Sequence, residues 1–105
     1  MAFTLHRIEC VYRHYEVTAT LAGGGPATLP GVTAALIAPG HGPTPGTDWW
    51  PAVYDDGTVT VLLAGPDADP ADGAVVIPAA GVNLWFRVVD SPEVVARLVE
   101  RITVR

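Results

Sequence analysis

The run Asn83-Leu84-Trp85-Phe86-Arg87-Val88-Val89-Asp90, closed by Ser91-Pro92-Glu93 and answered by Val94 to Val104, constrains this chain more than any other stretch. Apolar, β-branched runs on either side of a proline turn read as the last hairpin of a small β-sandwich. The second half also admits a helix, with Ser91 as N-cap, Pro92 at the first helical position and an acid in the first turn. Val95, Leu98, Val99 and Ile102 would then share a face. Against the helix, Val94, Ala96, Leu98, Ile102 and Val104 alternate with Glu93, Arg97, Arg101, Thr103 and Arg105, a strand face broken only at Glu100. Six of the twelve residues from Glu93 to Val104 are β-branched, which favours the strand over residues 92–102.

The rest of the chain continues in short strands. His14 to Ala22 alternates, with Tyr15, Val17, Ala19 and Leu21 on one face and His14, Glu16, Thr18 and Thr20 on the other. Before it, Phe3 and Leu5 share one phase and Ile8, Cys10 and Tyr12 the opposite one. This predicts a first strand bulged near His6-Arg7. Gly23-Gly24-Gly25-Pro26 is a turn and Val32 to Ala38 a short buried strand, and Pro39 to Thr47 holds too much Gly and Pro for a ladder. Trp49 to Tyr54 and Thr58 to Ala64 flank Asp55-Asp56-Gly57, a hairpin connection. An acidic loop, Gly65 to Gly73, precedes the short apolar run Ala74 to Ile77. The expected fold is all-β: one sandwich domain over residues 1–105, of seven or eight antiparallel strands.

Composition sets outer bounds. A chain of 105 residues can bury a core without staples, and 21 Gly plus Pro suit many turns rather than long helices. Six Arg without a single Lys, beside fifteen Ala and fifteen Val, reflect a GC-rich coding bias. A net charge of −5 opposes nucleic-acid binding, which needs a dense basic face. Cys10 has no second cysteine to pair with and is expected as a buried thiol. Arg7 and Glu9 interrupt any signal-peptide core, and no apolar run approaches the ~20 residues that span a bilayer. The expectation is a protein without a signal peptide, made in the cytoplasm and independent of membranes.

No arrangement of residues points to catalysis, a cofactor or a metal. Asp67, Asp69 and Asp72 beside Gly73 invite calcium, but position five of an EF-hand would be Ala71 and the closing Glu would fall on Pro78, so a solvated loop is expected. His6, His14 and His41 lack zinc-ligand spacing, and the one Ser, Ser91, lies in a turn. Trp85 is expected in the core beside Phe86. Trp49-Trp50 differs, because neighbours on a strand face opposite ways and at most one enters a one-sided core. The other is covered by the preceding loop, or meets a partner, or stacks on a sugar ring.

Val59-Thr60-Val61-Leu62-Leu63, the Asn83–Glu93 run and Ile102-Thr103-Val104 together resemble short immunoglobulin-like proteins among the virion genes of phages of actinobacteria. There a Trp-x-Arg-Val strand runs into an Asp-Ser/Asn-Pro-Glu turn and a final strand. The resemblance covers the second half of the chain and lacks the cysteine pair of antibody domains. It implies an immunoglobulin-like sandwich and a non-enzymatic structural role in the virion, as a capsid decoration, minor capsid or tail-associated protein. Its partners would be other virion subunits and further copies of itself. The interface candidates are Phe3, Leu5, Ile8, Tyr12, Trp49 and Trp50, with residues 1–12 a candidate assembly strand or arm and the Gly40–Thr47 loop a third surface. The rival reading is a carbohydrate-binding or adhesive module built on an exposed Trp and the acidic loop.

Overall fold

The computed structural model describes residues 2–17, 31–55, 57–90 and 93–105, and among them it contains strands and turns but no helix. Nine strands follow in chain order: β1 (Ala2–Leu5), β2 (Cys10–Glu16), β3 (Thr33–Ile37), β4 (Trp50–Pro51), β5 (Val53–Asp55), β6 (Thr58–Ala64), β7 (Val75–Val76), β8 (Val82–Asp90) and β9 (Glu93–Val104). A five-stranded sheet has the order β1-β9-β8-β3-β4, and a four-stranded sheet has β2-β6-β5 with β7 also on β6. The expected all-β sandwich is what forms, with the terminal segment a strand. The strand number exceeds the expected seven or eight because very short strands complete both sheets. Two pairings, β1 with β9 and β6 with β7, are parallel rather than antiparallel.

The core lies between the sheets. Leu5, Ala34, Val82, Leu84, Phe86 and Ile102 enter it from one sheet and Val59, Val61 and Leu63 from the other, with Val32 and Ile77 closing its ends. Every second residue of β6 and β8 points inward, as the pleat requires. The hairpin expected at Asp55-Asp56-Gly57 joins β5 to β6, with Asp55 opposite Thr58 and Gly57 at φ 80°, a conformation that suits glycine.

Several expectations change because the chain switches sheets. The first strand is not one bulged strand: a turn at His6–Glu9 carries the chain from β1 in one sheet to β2 in the other. The His6 carbonyl accepts the Glu9 N–H at 3.0 Å, and the Glu9 carboxylate accepts the His6 N–H at 2.7 Å. Trp49 to Tyr54 likewise divides. β4 pairs with β3, the Ala52 N–H bonds to the Val32 carbonyl at 3.0 Å, and β5 then joins β6 in the opposite sheet.

The final strand also changes phase. Between Leu84 and Trp85 the β8–β9 register shifts, so Leu84 faces Glu100 while Trp85 faces Leu98, leaving Val99 as the extra residue of a bulge. The single face expected through Leu98 and Ile102 is therefore split: Ile102 is in the core and Leu98 is on the outside. Trp85 is not a core residue, because Phe86 holds the inward phase and Trp85 the outward one. Cys10 is half-buried rather than buried. The Gly23–Pro26 turn, the second half of the His14–Ala22 strand and the Ser91-Pro92 turn lie outside the described residues.

Candidate interaction surface

The outer face of the four-stranded sheet is built by register. With Val11, Arg13 and Tyr15 inward on β2, Tyr12, His14 and Glu16 point out, opposite Leu62, Thr60 and Thr58 of β6. Val53 and Asp55 of β5 continue the Thr60 and Thr58 rows. The face thus reads in three rows: Tyr12–Leu62, then His14–Thr60–Val53, then Glu16–Thr58–Asp55. Tyr12 is 65% exposed and Val53 69%, with Val76 half exposed nearby. His14 is fixed by a 3.0 Å hydrogen bond between its Nδ1 and Thr60 Oγ1, and its ring stacks with Tyr12 at 6.5 Å.

On the open edge of β6, β5 ends opposite Thr60 and β7 begins opposite Leu63, so no described strand stands beside Val61 and Leu62 there. A shallow cleft of about 370 Å³ fills this gap, with Tyr12, Trp50, Val53, Leu62 and Asp72 among its walls.

The outer face of the five-stranded sheet differs in charge. Asn83, Trp85 and Arg87 of β8 point out, flanked by Arg101, Leu98 and Ala96 of β9 and by Ile37, Ala35 and Thr33 of β3. The β3 side is closed: Ala35 and Ile37 are buried although they face away from the core. Trp49 lies there too, its ring 4.7 Å from the Arg87 guanidinium, which also donates from Nε to Thr33 Oγ1 at 3.2 Å. The β9 side is open, with Leu98 53% exposed.

Between the sheets sits a charged cluster that sequence reasoning missed. Arg13 Nη2 donates to both carboxylate oxygens of Glu100, at 3.0 and 3.1 Å, and the Tyr15 hydroxyl donates to Oε1 at 2.9 Å. The Arg13 guanidinium also covers the Phe3 ring at 4.1 Å. The Glu100 side chain is only 2% exposed, against 33% for Arg13. Burial, and then the hydrogen bond to the Glu100 carboxylate, push the Tyr15 phenol up from 10.0 to about 12. Both signals were present in sequence: Glu100 alone broke the terminal strand face, and Arg13 shares the phase of Tyr15 and Val17.

The six interface candidates therefore scatter. Ile8 and Tyr12 are exposed, Leu5 is fully buried in the core, and Trp50 packs against the core from its edge. Phe3 lies under Arg13 and Trp49 against Arg87. Val53 and Leu98 join the exposed set without having been singled out, because their phases depend on the sheet switch and the bulge. Asp67 takes an ion pair with Arg7 at 2.9 Å, and among the described residues no three His, Cys, Asp or Glu side chains gather where they could hold a metal ion. Compared with known proteins, the chain matches no family model, no curated protein and no solved structure.

Proposed function

We propose that this chain is a non-enzymatic assembly subunit, an immunoglobulin-like sandwich that docks on other virion proteins as a decoration, minor capsid or tail-associated component. The observation that carries the reading is the pair of exposed apolar groups Tyr12 and Val53, with half-buried Leu62 beside Tyr12, on the outer face of the four-stranded sheet, a kind of surface that marks interaction sites. The strand order supports the immunoglobulin-like part: β9-β8-β3-β4 against β2-β6-β5 follows G-F-C-C′ against B-E-D, with β1 added beside the last strand. The Trp85-to-Glu93 resemblance supplies the virion. Docking would bury these apolar groups, with nearby polar groups setting orientation.

The test is to purify particles from the source that encodes the chain and count its copies by quantitative mass spectrometry, alongside a Tyr12→Asp variant. The expected result is a fixed stoichiometry for the native chain and loss of the variant from particles. Absence of the native chain from any particle overturns the virion reading. One observation favours the carbohydrate-binding alternative: the cleft brings Tyr12, Trp50 and Asp72 to one place, an aromatic surface beside a carboxylate acceptor. Saturable glycan binding abolished by Asp72→Ala would put that reading first.

A further inference from the structure

The two outer faces carry opposite charge and matching apolar rows, and we infer that copies of this chain stack face to back, the outer face of the four-stranded sheet of one copy on the β8–β9 face of the next. The inference deepens the assembly reading and rests on it, naming a second copy as the partner.

Charge is the first argument. On the four-stranded sheet the outward charged side chains of the β-strands are Glu16 and Asp55, with Asp72 at the cleft, and no described Arg points out. On the other sheet the outward charges are Arg87 and Arg101, while the acids of β8 and β9, Asp90, Glu93 and Glu100, stand in the register of the inward row. Residues 18–30 carry no charge at all, so they leave this polarity intact. The net charge of −5 is thus unevenly spread, and back-to-back or front-to-front pairing would oppose like charges where face-to-back pairing opposes unlike ones.

Row spacing is the second. Outward residues along one strand repeat every ~7 Å. On the β8–β9 face the apolar Leu98–Trp85 row has Arg101 one repeat away on one side and Arg87 one repeat away on the other. On the opposite face the His14–Thr60–Val53 row has Glu16 and Asp55 one repeat away on one side and Tyr12 and Leu62 on the other. Laying the His14–Thr60–Val53 row over the Leu98–Trp85 row therefore sets Glu16 and Asp55 over one arginine row and Tyr12 and Leu62 over the other. Leu98, Tyr12 and Val53, each more than half exposed, are the apolar groups such a contact would cover. The two patches differ, so the contact is heterologous and builds a closed ring or an open stack rather than a two-fold dimer.

The experiment is sedimentation velocity on the full chain over a concentration series at low and high salt. The native chain should form species heavier than monomer that weaken as salt screens the charge pairs. Leu98→Asp, which spoils one face, and Tyr12→Asp, which spoils the other, should each stay monomeric with native circular dichroism, and an equimolar mixture should regain a dimer and nothing larger. Arg101→Glu gives a second reading without altering an apolar contact, and should weaken association several-fold at low salt. A native chain that is monomeric throughout overturns the inference, as does association that either aspartate variant retains or that mixing fails to restore. The assembly reading is judged separately, by particle content.

Discussion

Arg13, Tyr15 and Glu100 show how one buried carboxylate organises its neighbours. A carboxylate with 2% exposure needs a cation and donors, and Arg13 and Tyr15 fill both of its oxygens. The arrangement is not fully satisfied, since Arg13 Nε is buried without a partner. The cluster therefore ties the two sheets together in one geometry more than it adds stability. A pH dependence follows from Tyr15. Its phenol titrates at about 12 in the fold against 10.0 otherwise, so the folded state favours the protonated form. That contribution is complete below pH 10 and is lost as pH rises from 10 to about 12. Urea unfolding across this window should show stability falling, and Tyr15→Phe should flatten that part of the profile. The variant should also cost about 1.5–3 kcal/mol at neutral pH, the range for a hydrogen bond to a charged group. An unchanged alkaline profile in Tyr15→Phe would contradict the assignment.

The elements depend on a few close approaches. Gly65, which follows β6, packs against the His6–Glu9 turn: its N–H bonds to the Glu9 carbonyl at 2.8 Å, and a Cβ there would clash with the Arg7 carbonyl oxygen. Any larger side chain forces the β6–β7 loop away from the crossing between sheets. Gly65→Ala should destabilise the fold by about 1–3 kcal/mol, the usual cost of overpacking, read as a lower urea midpoint with an unchanged slope. The β9 bulge works by phase instead of volume. It allows Val95 and Arg97 before it, and Glu100 and Ile102 after it, to stand opposite the inward row of β8. That shift carries Glu100 inside to Arg13, while Leu98 stays exposed on the outer face. Hairpin partners such as β5 and β6, separated by two residues, are legible in sequence because their turn chemistry and alternation are local.

At the scale of the whole fold, β1 and β9 close one edge of the five-stranded sheet. β1 pairs in parallel with β9, Ala2 opposite Arg101 and Leu5 opposite Val104, and the Arg7 N–H bonds to the Arg105 carbonyl at 3.0 Å. The segment expected as an assembly arm is thus partly structural, and removing residues 2 to 12 would open the core instead of merely stripping an interface. Leu5→Ala should cost about 2–5 kcal/mol by urea denaturation. That is a large fraction of the roughly 5–15 kcal/mol that holds a domain of this kind. A loss below 1 kcal/mol, close to that of a surface substitution, would mean that β1 is dispensable. What could be read along the chain was whatever neighbouring residues encode: alternation, turn chemistry, the all-β class, the terminal strand and the separation of Trp49 from Trp50. Contacts between Arg13 and Glu100, or between Ala2 and Arg101, have no local signature. They arise only when packing chooses which phase of each strand turns inward, and that choice set the sheet switches, the bulge and the charge of each outer face.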